Sequence, residues 1–302
     1  MTDRALEEVV ERITELLAGW PRGTPMAQMR HDYDAFFTRG EVAVEVTPVL
    51  AGGVPASWFD ARDAGRDAAG DGRVVLYCHG GGFHIGSTRS HHGLIARLSA
   101  AACCRILALD YRLASEHCFP APLEDALAAY DWLLAQGYAP SHIAFSGDSA
   151  GGGLVLSTLL ALRDRGRSLP VAAAVLSPWC ELEASGDSYF RNEAVDPLGT
   201  RKVVLAMARS YLGSDRSPRD PMAAPLHGDL AGLPPLMIQC GERDMLLDDS
   251  LAFAKKAQAA GVAVTLERWP GMIHVFQLFA AELPQAREAI ANLGAFLQEE
   301  LP

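Results

Sequence analysis

Ser149 sits in the stretch Gly147-Asp148-Ser149-Ala150-Gly151-Gly152. An apolar run, His142-Ile143-Ala144-Phe145-Ser146, leads into it, and a helix-like run, Gly153 to Arg163, leads out. Strand, sharp turn and helix with a serine at the apex make a nucleophile elbow. The turn strains the serine backbone, and small flanking residues let strand and helix approach closely. The hydroxyl is left exposed, and the next amide, of Ala150, points at the same spot. That geometry suits acyl transfer, in which a tetrahedral intermediate carries an oxyanion that convergent N–H groups stabilise. A second source of amides is His79-Gly80-Gly81-Gly82, directly after the run Val74–Cys78. Three consecutive glycines leave the backbone free to turn its amides toward a ligand. No Lys-Ser or Lys-Thr pair follows, which argues against a nucleotide P-loop. His79 itself reads as structural, pinning the loop by hydrogen bonds.

A serine hydroxyl is a weak nucleophile until a neighbouring base takes its proton. In this arrangement the base lies late in the chain, after an acid, in the order Ser, Asp/Glu, His. His274 is the only one of the 9 histidines beyond His227, and it follows the strand-like run Val262–Trp269. The acid must come from the loop after Leu236–Cys240, where Glu242, Asp244, Asp248 and Asp249 crowd together. Gly241 closes that strand, which leaves Glu242 or Asp244 nearest. Asp248 and Asp249 fall at the start of a helix, where acids suit the dipole and capping. Both loops lie past the carboxyl end of a strand, where open α/β sheets place their sites.

The elements that must position these groups follow from periodicity. Leu6, Val9, Val10, Ile13, Leu16 and Leu17 recur at helical spacing, ended by Pro21 and Gly23, and a second short helix covers Met26 to Phe37. Strands are expected at Val42–Thr47, closed by Pro48, and at Pro55–Asp60. From Arg73 onward strands alternate with helices: strands at Val74–Cys78, Ile106–Asp110, Ile143–Ser146, Val171–Ser177, Leu236–Cys240 and Val262–Trp269. Helices are expected at His91–Ala101, Leu123–Ala135, Gly153–Arg163, Leu247–Ala260 and Leu283–Glu299. Such alternation predicts a doubly wound α/β protein with a mostly parallel eight-stranded sheet and an antiparallel pair at its opening edge. One stretch breaks the rhythm: a polar loop, Glu183 to Asn192, then a helix from Thr200 to Leu212, with Thr200 as N-cap and Gly213 as stop. With the N-terminal helices this insertion is expected to form a lid over the carboxyl edge of the sheet.

Four blocks together carry a family resemblance. His79-Gly80-Gly81-Gly82, Tyr111-Arg112-Leu113-Ala114, Phe119-Pro120-Ala121-Pro122-Leu123-Glu124-Asp125 and Gly147 to Gly152 resemble the hormone-sensitive-lipase-like esterases, the bacterial family IV. The tail, Gly241-x-x-Asp244 and His274-Val275-Phe276, agrees, and the similarity runs from about Arg73 to the C-terminus. The resemblance implies an α/β-hydrolase fold with a helical cap and hydrolysis of carboxylic esters of short acyl chains, without cofactor or metal. By position it implies Ser149 as nucleophile, His274 as base, Asp244 as orienting acid, and the amides of Gly81, Gly82 and Ala150 as oxyanion hole, with His79 and Gly80 supporting the loop. The expected organisation is residues 1–40 as the N-terminal part of the cap, 41–182 and 216–302 as the catalytic domain, and 183–215 as the cap insertion. Ser115 and Cys118 depart from the family, which usually has Pro at both places in a structural block. The family's plant hormone receptors lack the histidine that His274 supplies. Amide or lactone cleavage uses the same machinery and stays open as an alternative. A homodimer through the last strand, Val262–Trp269, is implied by analogy.

Composition sets the outer bounds. With 26 basic and 37 acidic residues the net charge is −11, which argues against nucleic acid and anionic membrane surfaces as partners. The acidic, amphipathic start of the chain is neither a secretory signal nor a transit peptide, and no apolar run reaches the length of a membrane span. Cys78, Cys103, Cys104, Cys118, Cys180 and Cys240 show no metal spacing and read as buried, reduced thiols of a cytoplasmic protein.

Overall fold

A computed structural model describes residues 2–38, 42–61, 72–197 and 199–302. In chain order its elements are α1 (Thr2–Ala18), α2 (Met26–Phe37), β1 (Glu45–Ala51), β2 (Val54–Asp60), β3 (Val74–Cys78), α3 (His92–Ala102), β4 (Arg105–Leu109), α4 (Ala121–Ala135), β5 (Ile143–Asp148) and α5 (Ser149–Asp164). Then follow β6 (Ala172–Leu176), α6 (Ser188–Arg191), α7 (Arg201–Leu212), β7 (Leu236–Gly241), α8 (Leu247–Ala259), β8 (Val264–Trp269) and α9 (Pro284–Glu300). The eight strands form one sheet in the order β1-β2-β4-β3-β5-β6-β7-β8. β2 is antiparallel to both its neighbours, β1 and β4, and every pair from β4 to β8 is parallel.

Helices cover both faces, so the central strands are apolar on both sides. Along β3, Val74, Leu76 and Cys78 join the core under α4, α5 and α8. The alternate residues, Val75 and Tyr77, join the core under α3 and α9. This period of two on a doubly buried strand is why β3 reads as one continuous apolar run.

Three expectations shift. β1 runs to Ala51 with Pro48 inside it, paired to Ser57, rather than stopping at Pro48. A proline lacks the N–H for a ladder bond, and an edge strand tolerates that. α5 starts at Ser149 instead of Gly153. Glycines lower helix propensity, but a Cβ on Gly151 would collide with the carbonyl oxygens of Cys78 and His79, and one on Gly153 with that of Trp179. Tertiary contact selects the glycines, and the helix forms despite them. The polar loop of the insertion contains a short helix, α6. The helix after it is capped as expected: Thr200 Oγ1 accepts from the Val203 amide at 3.4 Å, and Gly213 takes a φ of 73°.

All six cysteines are free, but only Cys78, Cys104, Cys180 and Cys240 are buried; Cys103 and Cys118 are partly exposed. Cys103 caps the end of α3 at a φ of 50°, a solvent-facing position that its apolar neighbours do not reveal. Among the described residues no helix is long and apolar enough to cross a membrane. The expected N-terminal part of the cap, 1–40, extends at residues 1, 39 and 40 outside the described residues.

Candidate active site

β5 ends at Asp148 and α5 begins at the next residue, with no linker between them. Ser149 therefore takes a φ of 51°, a left-handed conformation that a Cβ makes costly. Close packing of Gly147 and Gly151 against the Cys78 carbonyl imposes it. The Ser149 side chain is left at the floor of a cavity.

His274 lies beyond β8, and its Nε2 is 2.9 Å from Ser149 Oγ. Its Nδ1 is 3.0 Å from Asp244 Oδ1. Asp244 is fully buried, and Oδ1 also accepts the Leu246 amide at 2.7 Å. The acid loop and the histidine loop are tied by backbone bonds, Glu242 to the Trp269 carbonyl at 3.1 Å and Arg243 to the Met272 carbonyl at 2.8 Å. Burial works against charge on His274, but the Asp244 carboxylate opposite, by charge and hydrogen bond, with Asp196 and Asp148 beyond, outweighs it and pushes the imidazole pKa up to about 9. The other acids of that loop are engaged elsewhere. Glu242 pairs with Arg268 at 3.0 Å. Asp248 accepts the Ser188 amide at 2.8 Å. Asp249 accepts the amides of Cys180 at 3.1 Å and Glu181 at 3.0 Å.

The glycine loop is held by its carbonyls. Gly80 O meets His79 Nδ1 at 2.7 Å, and Gly81 O accepts the amides of His84 and Ile85, both at 3.0 Å. In a planar trans peptide the N–H points opposite to the carbonyl. Fixing the Gly80 and Gly81 carbonyls thus fixes the amides of Gly81 and Gly82, and both glycines line the cavity with Ser149 and His274. Gly81 takes a φ of 110°, open to glycine, and at Gly82, with a φ of 62°, a Cβ would run into the end of Met207. Gly80 is different: its amide donates to Asp148 Oδ1 at 3.0 Å. Ala150 is buried in the first turn of α5, where amides have no intrahelical partner.

Several residues that the sequence does not single out build the site. Asp148 also accepts from the Tyr77 hydroxyl at 2.6 Å and faces His91 Nε2 at 3.2 Å. Burial opposes the charge on both groups, yet each favours the charged form of the other: the His91 pKa is raised and that of Asp148 lowered. His79, stacked on Tyr111, is pushed down to about 4 by burial and by His91, and stays neutral. From the insertion, Asn192 Nδ2 donates to the carbonyls of Asp244 at 2.7 Å and Glu242 at 3.0 Å. Asp196 accepts the Met245 amide at 2.6 Å. Beyond His79, which the sequence reads as a structural pin of the glycine loop, only the presence of Asp148 inside the elbow motif hinted at any of this; the rest are long-range partners.

The cavity measures about 270 Å³. Its walls are apolar and come from α1 (Leu16), α2 (Met29, Phe37), α7 (Val204, Met207) and the loop after β8 (Phe279). Away from it, Glu181, Glu183 and His227 bring potential ligand atoms within 4.8 Å of one another. The Glu181 carboxylate there is already taken by the amides of Glu183 at 2.5 Å and Ser185 at 2.9 Å, and Arg219 lies 3.6 Å from Glu183.

Comparison with known proteins agrees with this fold. A family model described as the alpha/beta hydrolase fold matches residues 75–278. An acetyl-hydrolase of Streptomyces hygroscopicus is 45% identical over 251 residues, covering 83% of this chain and 81% of its own. A crystal structure of an esterase from the bacterial hormone-sensitive lipase family superposes with a TM-score of 0.93 at 44% identity, covering 99% of both chains. A structure of EstE5 soaked with p-nitrophenyl butyrate superposes at 0.89 with 39% identity, covering 98% of each.

Proposed function

Because the chain belongs to the alpha/beta hydrolase fold family, among the hormone-sensitive-lipase-like esterases, and is by that membership a carboxylic ester hydrolase, we propose that it cleaves esters of short acyl chains through a Ser149–His274–Asp244 triad. The observation that carries this reading is the unbroken hydrogen-bonded line from Ser149 through His274 to Asp244, with 2.9 and 3.0 Å steps, at the floor of an apolar cavity.

In this mechanism Ser149 Oγ attacks the ester carbonyl carbon while His274 Nε2 takes its proton. The carbonyl π electrons move onto oxygen, and the amides of Gly81, Gly82 and Ala150 stabilise that charge. Asp244 holds the ring in the tautomer that presents Nε2 to the serine and stabilises the imidazolium. His274 returns its proton to the leaving alcohol as the C–O bond breaks. Water then attacks the acyl-enzyme by the same proton route, releasing the acid and Ser149. No cofactor or metal enters these steps.

Short acyl groups are favoured by size. A cavity of about 270 Å³ lies just below the roughly 300–1,000 Å³ common for small-ligand pockets. EstE5, the similar protein, was soaked with a butyrate ester. In this proposal α1, α2 and α7 act as a cap and the protein works in the cytoplasm. β8, an edge strand in the sheet order, is the proposed pairing surface of a homodimer.

The test compares kcat/KM on acetate, butyrate, octanoate and palmitate esters, a lactone and an acetylated amine, with Ser149→Ala as control. The expected result is a maximum at acetate or butyrate, and a loss of several orders of magnitude in the folded variant. A maximum on palmitate removes the acyl-length reading. A maximum on the amide or lactone transfers the same machinery to that substrate. An active Ser149→Ala removes the nucleophile.

A further inference from the structure

Helix α2 does more than wall the cavity. Arg30, in its first half, reaches down to the glycine loop, where Nε donates to the His84 carbonyl at 2.8 Å. Nη2 donates to the Ala114 carbonyl at 3.2 Å, and Ala114 is itself bonded through its amide to the Phe83 carbonyl at 2.8 Å. The two ends of the guanidinium also form a bidentate pair with Glu116, at 2.8 Å each. One turn further along α2, Asp34 accepts from Ser87 Oγ at 2.7 Å. One side of a single helix thus grips the loop after β3 at His84 and at Ser87.

The His84–Ile85 segment sets the glycine amides. The amides of His84 and Ile85 each bind the Gly81 carbonyl at 3.0 Å, which orients the Gly82 N–H by peptide planarity, and the Ile85 amide shares a peptide with the His84 carbonyl that Arg30 holds. The His84 ring Nδ1 meets the Gly82 carbonyl at 2.6 Å. The His84 side chain is buried against the cavity. A continuous line of hydrogen bonds therefore runs from Arg30 through His84 to the amide of Gly82. Apart from these bonds the helix is held by its C-terminal aromatic end, where Phe36 and Phe37 pack on Phe279, and none of its residues is fully buried.

We propose that Arg30 is a positioning residue that couples the seating of α2 to the alignment of the oxyanion amides, so that the site is competent only when this wall of the cavity is closed. The inference rests on reading the Gly81 and Gly82 amides as oxyanion donors. When α2 lifts to admit an ester, Arg30 leaves the His84 carbonyl and the turn that aims Gly82 loses its outer brace. When α2 reseats over the substrate, the brace returns and the acyl carbonyl meets aligned donors.

The experiment uses the full chain with Arg30→Met, Arg30→Lys and Glu116→Gln. It measures kcat and KM on p-nitrophenyl butyrate and the affinity of a butyryl-sized trifluoromethyl ketone, whose serine adduct carries an oxyanion. Arg30→Met is expected to lower kcat by roughly tenfold to a hundredfold, the scale of a small misplacement of reacting groups, with KM changed far less. Ketone affinity falls by the same factor as kcat/KM, because both report transition-state stabilisation. Arg30→Lys, able to keep one contact to the His84 carbonyl, recovers part of kcat. Glu116→Gln, which leaves that contact intact, falls less than either. A raised KM with unchanged kcat and unchanged ketone affinity overturns the proposal and makes Arg30 a mere wall support. Should Arg30→Met fail to fold, Arg30→Lys with a wild-type ratio of ketone to substrate affinity overturns it equally. If Ser149→Ala stays active, the underlying hydrolase reading fails first, and the two failures are distinguishable.

Discussion

The strand-end loops and the helices around the cavity are held in opposite ways. Every residue of β3, β5, β6 and β7 is buried, and the loops they feed are braced by buried polar contacts such as Asp148 to Gly80 and Asn192 to the acid loop. α2 buries none of its residues fully and is held to the body by part-exposed contacts, polar ones such as Arg30 to Glu116 and the packing of Phe37 on Phe279. α7 buries Val204, Ala208, Tyr211 and Leu212, but its Val203, on the cavity, is 47% exposed. Groups that exchange protons must be fixed to a fraction of an ångström, whereas a wall that admits substrate must be cheap to move. In the proposed mechanism the chemistry sits on the more rigid part and selectivity on the looser one.

Changes at the rigid part should therefore cost rate out of proportion to stability. The largest effect separates the acids: Asp244→Asn should lower kcat by about 10⁴, the scale for a triad acid. Glu242→Gln should cost only a few-fold, since Glu242 holds an exposed ion pair with Arg268. Asp248→Asn weakens the contacts to Ser188 and Arg191 on the insertion and should fall between them. Steady-state kinetics on one soluble ester ranks the three, and Asp248→Asn as the worst of them would contradict the hydrogen bond seen at Asp244.

Next comes the glycine loop. Gly81→Ala places a Cβ at a φ of 110° and against the Ile85 carbonyl. It should displace the neighbouring amides and lower kcat by roughly 10²–10³, as for a lost oxyanion donor. Equal activity in this variant would mean that the loop is not aimed at the reacting carbonyl.

The pH profile sharpens the same contrast. Imidazole in its ordinary range would give an acid limb near pH 6–7, but the carboxylates around His274 push its pKa up to about 9. Protonated His274 cannot accept the Ser149 proton, so kcat/KM should climb as pH rises toward about 9. Stability runs the other way. A folded pKa of about 9 above an unfolded 6.5 means that the His274–Asp244 pair stabilises in full below about pH 6.5. That contribution is lost as pH rises through about 9. Thermal unfolding should show this loss in the wild type and not in Asp244→Asn, while kcat/KM from pH 5 to 10 locates the limb. A flat profile would exclude a histidine base.

The smallest effect belongs to the loose part. Met207→Ala on α7 removes a side chain whose end lies over Gly82. It should leave kcat on acetate within a few-fold and improve longer esters by roughly tenfold relative to it, the worth of about one methylene in a pocket. The ratio of kcat/KM on octanoate to acetate measures it. A drop in kcat as large as that of Gly81→Ala would erase the distinction between the two regions.

The sequence by itself determined the local devices. A serine between glycines after an apolar run reads as an elbow because neighbouring sterics dictate it. Alternating strands and helices read as a parallel sheet because burial imposes their periods, and Thr200 and Gly213 bound a helix by capping chemistry alone. It did not reveal where β1 ends, since Pro48 is tolerated only because that strand lies at the sheet edge. Nor could it single out one acid from four without the family motif, or pair Asp148 with His91 and Arg30 with His84. Those outcomes depend on which loops the strand order β3-β5-β6-β7-β8 brings side by side and on what close packing then leaves within about 3 Å of a polar atom. Spacing along the chain carries no such distance, so only the tertiary structure decides it.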